Sequence, residues 1–345
     1  MAWSATVAAS VAIGLGLLAA RAQRERHHRR RLAGASTHPD ERRFGLLANE
    51  RPAQGVQRIA LGQLDIAIEL LRDHPRASDA EAVHETRKAL KRLRALIRLL
   101  ERELGRKRAR RERAVLRDAG ARLAGARDAE VLVSTLDALL ARHPRKLGRR
   151  RGLIELRARL ERERRTASER TLGDAATREG VARELAAMRA RVAKWRLPDH
   201  SAQRLTGAGL DRIYRSGRTG RRRAGRRTAG VRALHKWRKH VKDLRYALEV
   251  LDVREPSGRV VANRRTAKLA RRADELGELL GEEHDLLLLA ERVRSCKPLR
   301  RSKRTRRLAL RAISRRRARL RERALRDGER LYGPGPRRFL RGVRT

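Results

Sequence analysis

The amino-acid sequence predicts an all-α protein, arranged as two pseudo-symmetric helical bundles side by side. Three observations carry this expectation. Apolar residues make up 40% of the 345 positions but aromatics only 2%, so Ala, Leu, Val and Ile must supply the core. Ala, Leu, Arg and Glu dominate and strand-like runs of β-branched and aromatic residues are few, a composition that favours helix. Helical apolar periodicity then runs from about residue 57 nearly to the C-terminus, and one helical motif occurs twice within it.

Taken in order, residues Ala2 to Ala20 carry no charge and are followed at once by the basic run RAQRERHHRRR. The run has about the ~20 residues a membrane span needs, and the positive-inside rule would leave everything after Arg21 in the cytoplasm. Two readings stand: a single N-terminal anchor contacting the membrane through residues 2–20, or a non-spanning apolar tail or misassigned start. Residues 1–32 are thus set apart, and 33–54, with Gly, Ser, His-Pro and Arg-Pro, read as a linker.

A helical domain is expected over 55–332, in halves of about 55–197 and 205–332. The first half reads as helices near Gln57–Arg72, Asp79–Glu103, Lys107–Ala124, Ala129–Arg142, Leu147–Ala167 and Arg178–Ala193. Pro198–Gly209 reads as the separator. The second half reads as Leu210–Ala229, Arg232–Leu251, Asn263–Leu280, Asp285–Arg294 and a long Arg-rich helix, Lys303–Tyr332. Residues 333–345 are expected to form a flexible basic tail.

Lys and Arg number 90 against 40 Asp and Glu, a net charge of +50. Self-repulsion on this scale weakens a compact state, and a partner of opposite sign relieves it: nucleic acid, an anionic membrane or polymeric phosphate. Cys296 is the sole cysteine, which excludes an intrachain disulfide and any metal site needing several thiolates.

The repeated motif carries the functional reading. His84-Glu-Thr-Arg-Lys-Ala-Leu-Lys-Arg-Leu-Arg aligns without gaps to His235-Lys-Trp-Arg-Lys-His-Val-Lys-Asp-Leu-Arg, and Leu123-Ala-Gly-Ala-Arg-Asp128 pairs with Leu280-Gly-Glu-Glu-His-Asp285 at a nearly constant offset. At 100° per residue, His84, Arg87, Lys88, Lys91, Ala95 and Arg98 share a stripe opposite Ala89, Leu90, Leu93, Leu96, Ile97 and Leu100. In the second copy His235, Arg238, Lys239, Lys242 and Tyr246 oppose Val241, Leu244, Ala247, Leu248 and Leu251, and Arg94 and Arg245 flank the two stripes. Like charges at one-turn spacing repel, so a solvated face normally mixes signs. The same repulsive pattern in both halves points to a ligand that neutralises it, and its length points to an extended polyanion. For His84 and His235 a capping role and a ligand-contact role both stand.

At these motifs the chain resembles the CHAD family, the conserved histidine α-helical domain. VHETRKALKRLRALIRLL, LHKWRKHVKDLRYALEVL, GARDAEVL, LLGEEHDL and GLDRIYRSGRTG carry the resemblance, which spans roughly Arg51 to Tyr332. It implies two pseudo-symmetric bundles enclosing a basic groove. The implied activity is non-catalytic binding of inorganic polyphosphate, in the cytoplasm and often at polyphosphate granules. The implied contacts are His84, Arg87, Lys88, Lys91 and Arg94, then His235, Arg238, Lys239, Lys242 and Arg245. Arg98 and Tyr246 extend the two stripes, and Tyr214, Arg215 and Arg218 match the family's intermediate Tyr-Arg segment.

Catalytic signatures are not found in the sequence. Glu161-Arg-Glu163-Arg-Arg165 approximates the acidic strand of triphosphate-processing barrels but sits in a helical Arg/Glu pattern, and His84-Glu85 has Lys88 where a zincin needs His. No cofactor or metal is expected. The rival reading is a non-specific nucleic-acid binder. With 2 Phe, 3 Tyr and 3 Trp the chain offers few stacking platforms for single strands.

Overall fold

The computed structural model describes residues 44–72, 79–226, 228–253 and 264–343, and every regular element among them is helical. The apolar run 2–20, its basic successor and most of the expected linker lie outside the described residues. Among the described residues no helix is long and apolar enough to cross a membrane.

Helix α1 (Pro52–Arg72) starts earlier than periodicity predicts, because Pro52 occupies its first turn, where a missing N–H costs nothing. The residues before it, read as linker, are tied down. Leu46 N–H donates to Val250 O at 3.0 Å and Arg58 Nη2 donates to Gly45 O at 2.8 Å. Helix α2 (Asp79–Leu99) gives way at Leu100 to a single turn, α3 (Glu101–Leu104). Gly105, at φ 78, then turns the chain into α4 (Arg106–Arg122), a left-handed backbone that a side chain would strain.

Helix α5 (Gly125–Arg142), one π turn (Pro144–Gly148) and α6 (Arg151–Gly173) form a hairpin. Asp174 caps α7 (Ala175–Ala193) by accepting from Thr177 N–H at 2.8 Å, and Ser201 caps α8 (Ala202–Ala224). Most of the expected separator is therefore helix. After α9 (Val231–Val250), α10 (Arg264–Ser295) is one continuous helix where two were expected. Helix α11 (Lys297–Arg301) leads into α12 (Lys303–Tyr332). The tail expected to be flexible forms α13 (Pro336–Val343), with Phe339 and Val343 buried.

Helices α1, α2, α4 and α7 pack around one another, as do α8, α9, α10 and α12, and α2 crosses both α8 and α9. The cores do not follow the expected halves. One core runs from α1, α2, α4 and α7 into α8, α9 and the first part of α10. The other joins the α5–α6 hairpin to the end of α10 and the start of α12. The aliphatic face of α2 is fully buried, with Leu90, Leu93, Leu96, Ile97 and Leu100 contributing about 10 kcal/mol together relative to exposure.

Where α2 crosses α9, Arg98 Nη1 lies 2.7 Å from Asp243 Oδ2 and Arg92 Nη2 lies 3.8 Å from Glu249 Oε2. Arg92 and Asp243, and likewise Arg98 and Glu249, are separated by the same offset as His84 and His235, so the two ion pairs are mirror placements with their charges exchanged. Burial pushes the Asp243 carboxyl above its ordinary range, although Arg98 and Arg94 pull it down. Desolvation thus outweighs the attraction, and removing the two partners has unequal consequences. Arg98→Met, which strands a half-buried carboxylate, should cost about 2 kcal/mol, whereas Asp243→Asn should stay within about 1 kcal/mol. Urea unfolding at neutral pH measures both; equal losses would contradict the argument.

Candidate functional site

On α2, His84, Arg87 and Lys88 are half-buried and Lys91 and Arg94 exposed. Arg87 Nη1 donates to Leu123 O at 3.1 Å and Ala124 O at 2.8 Å, satisfying carbonyls at the junction of α4 and α5. Lys88 Nζ stands 2.9 Å from Glu85 Oε2, and His84 Nε2 3.8 Å from Glu85 Oε1. Arg98, at the far end of the stripe, belongs to the helix crossing. Ala95, placed on the stripe by its angle, is buried.

The stripe on α9 faces α10. His235 lies against His284, ring centroids 4.7 Å apart. Burial first, then His284, Lys239 and Arg238, lower its pKa to about 4, so it is neutral at pH 7. Its Nδ1 is buried with no hydrogen-bond partner among the described residues. The Arg238 guanidinium packs on Gly281, where a Cβ would stand 3.5 Å from Nη2. Arg87 reaches Leu123 and Ala124, the counterparts of Leu280 and Gly281 in the motif pairing, so the two arginines are placed alike. Burial and then Arg238 push Lys242 down to about 8, with Arg245 adding to the effect and Glu278 and Asp274 opposing it. Lys239 is exposed.

Three predicted contacts are placed elsewhere. Tyr214 is fully buried, stacked on Phe339 at 3.8 Å, and the one hydrogen of its hydroxyl is shared between Pro334 O at 2.8 Å and Leu331 O at 3.2 Å. It anchors α13 and presents nothing to solvent; burial raises its pKa to about 12. Tyr246 is buried edge-on to Phe44, because residues 44–50 cover that end of the stripe. Arg245 pairs with Glu249 at 2.7 Å and with Asp274. Burial opposes its charge, but these carboxylates hold its pKa above the ordinary arginine value. Of the intermediate segment, Arg215 is exposed and pairs with Asp211 at 2.7 Å, and Arg218 is half-buried.

The structure adds residues that the stripe reading missed. His284, which lies within LLGEEHDL, pairs with His235. On the other side of α9, Arg212, Arg223, Lys236 and His240 line a cavity with Arg98 and Arg215. These residues fell off the helical angle of the repeat, although Arg212, Lys236 and His240 stood inside quoted motifs. Among the described residues, no group of three or more His, Cys, Asp or Glu side chains is arranged to hold a metal.

The sequence model of the CHAD domain matches residues 58–294. The chain belongs to the CHAD family. A solved structure described as the CHAD domain from the plant Ricinus communis is similar to this CHAD protein with a TM-score of 0.51 at 18% identity, covering 87% of this chain and 93% of that one. The likeness extends to the fold. No curated protein sequence matches the chain significantly.

Proposed function

We propose that this CHAD protein binds inorganic polyphosphate through the cation rows of two duplicated motif helices, α2 and α9, which border a basic groove, and does not catalyse turnover of the bound chain. The observation that carries this reading is the crowding on α9. His235, Arg238, Lys239 and Lys242 share one stripe, and burial together with their mutual repulsion lowers the pKa of His235 to about 4 and of Lys242 to about 8. An arrangement that discourages its own positive charge is stabilised when an anion replaces the lost solvent. The ligand is extended, because the stripe continues over several turns and a single phosphate needs only one helix end or nest. CHAD domains are linked generally to polyphosphate binding, which selects this polyanion over the others. The mirrored Arg87 and Arg238 placements and the charge-exchanged crossing support the duplication.

The test is competition. Protein bound to immobilised long-chain polyphosphate is challenged with free polyphosphate, duplex DNA, single-stranded RNA and heparin at matched charge. Free polyphosphate should displace it at concentrations at least tenfold lower than the other three require. Equal displacement by all four would leave a general polyanion binder, and orthophosphate release in the presence of magnesium or manganese would overturn the non-catalytic part.

A further inference from the structure

The cavity between α8 and α9 lies on the other side of α9 from that helix's stripe, and of the two stripes it shares only Arg98, at the far end of the one on α2. It has a volume of about 540 Å³ and is lined by Arg98, Arg212, Arg215, Arg223, Lys236 and His240, with Asp211 among them. Stripe residues Arg238 and Lys242 pack on glycines of α10, whereas His240 lies against Gly220 of α8, where a Cβ would be 3.3 Å from its Cδ2. Lys239 acts electrostatically on both His235 and His240, so the two sides of α9 meet there.

The charges in the cavity are unevenly committed. Arg98 is held by Asp243, Arg215 by Asp211, and Arg212 Nη2 donates to Arg98 O at 3.0 Å while standing 4.0 Å from Glu101. Arg223 and Lys236 are exposed and add two further positive charges. Three lining residues also have a buried polar atom without a hydrogen-bond partner among the described residues: Asp211 Oδ1, Arg212 Nε and His240 Nδ1. Leaving such an atom unpaired is unfavourable, so a ligand that satisfies them gains affinity by that route. Arg212 Nε requires an acceptor. Asp211 Oδ1 requires a donor, which an all-acceptor anion lacks.

We propose that this cavity receives the terminal phosphoryl group of a phosphate chain, a reading that rests on the polyphosphate function above. Phosphates inside a chain are acceptors only. A terminal phosphate has a second ionisation near neutrality, about 6 for a phosphate monoester, and in its protonated form it carries a P–OH. That group meets the requirement at Asp211 while its other oxygens face Arg212, Arg223 and Lys236. A chain running along the α9 stripe reaches the cavity past Lys239, so its end and its body are recognised on opposite sides of one helix.

The experiment uses the full protein with two long-chain polyphosphates of equal length, one with free ends and one with both ends blocked as phosphoramidates of a secondary amine, which carry neither P–OH nor N–H at the terminus, measured by calorimetry. The wild type should bind the free-ended chain about tenfold more tightly, and Arg223→Gln/Lys236→Gln should bind both chains alike at the weaker level. Both substituted residues are exposed, and circular dichroism checks that the variant stays folded. A wild type that does not distinguish the chains overturns the end-site, as does a variant that loses equal affinity for both. Failure of the polyphosphate reading would look different, because neither chain would bind in preference to DNA or heparin.

Discussion

Gly209→Ala is expected to destabilise the protein by about 3 kcal/mol or more, seen as a fall in the urea midpoint and in Tm. A Cβ at Gly209 would stand 1.8 Å from Leu99 O, 2.6 Å from Leu99 C and 2.8 Å from Leu99 Cα. All three are backbone atoms at the C-terminal end of α2, so no side chain can swing aside, and α8 as a whole must back away. That displacement also pulls Arg212 from the Arg98 carbonyl, which it reaches at 3.0 Å. A control lies two positions earlier in the same helix. A Cβ at Gly207 meets nothing within 4 Å, so Gly207→Ala should stabilise by about 0.5–1 kcal/mol through helix propensity alone. If both substitutions act alike, the close crossing of α8 and α2 is wrong.

Gly209 also shows where reading the sequence reached its limit. The helical class, the buried faces of both motif helices and the bounds of the long helix Lys303–Tyr332 follow from composition and period, which are local properties. Glycine is locally ambiguous, because it breaks a helix or lets another helix approach closely. The stretch ending at Gly209 therefore read as a separator, and Gly281 as part of a break between two helices, yet both glycines lie inside continuous helices. At Gly209 the space is taken by the backbone of α2, and at Gly281 by the side chain of Arg238. The partner that decides the matter is far away in sequence. The C-terminal segment misled for the same reason. Pro336–Val343 is basic and short, and becomes a packed helix because Tyr214 offers Phe339 a ring to stack on.

The candidate site was readable to a different depth at each residue. Helical angle alone assigned the cations to faces, and His235, Arg238 and Lys242 do lie against α10, with Lys239 exposed beside them. Angle does not tell which cations are already engaged. Arg87 directs its guanidinium to the carbonyls of Leu123 and Ala124, dozens of residues away, and Arg245 pairs with Glu249 one turn along α9 and with Asp274 of α10. Tyr246 shared the stripe angle but is covered by Phe44 from a segment that read as linker. Conversely, Lys236 and His240 sat off the stripe and gained interest only when α8 closed a cavity over them. The repeat located the helices, and tertiary packing divided their cations into structural and accessible ones.

Neutralising Lys91 and Lys242 together, as Lys91→Gln/Lys242→Gln, is expected to weaken polyphosphate binding by at least tenfold, whereas Arg315→Gln/Arg319→Gln should cost less than threefold. Both variants remove two positive charges. Arg315 and Arg319 are exposed on α12 and are a cleaner control than Arg316, which is held by Glu282 through two hydrogen bonds of 2.8 Å. If binding depended on net charge alone, the two losses would match. Salt dependence separates the cases further, because each lost phosphate contact should lower the slope of log affinity against log salt by about 0.7, the value for single-stranded polyanions. Lys242 adds a pH signature that an ordinary surface lysine lacks. Burial and then Arg238 depress its pKa to about 8 in the free protein, and an anion alongside the ammonium restores a higher value. The chain therefore prefers the protonated form: affinity is full below about pH 8 and falls as pH rises beyond it, with proton uptake on binding. Calorimetry in buffers of different ionisation enthalpy measures that uptake directly. The uptake near pH 8 should disappear in Lys242→Gln and persist in Lys91→Gln. If it survives both changes, another group is responsible and Lys242 does not face the ligand.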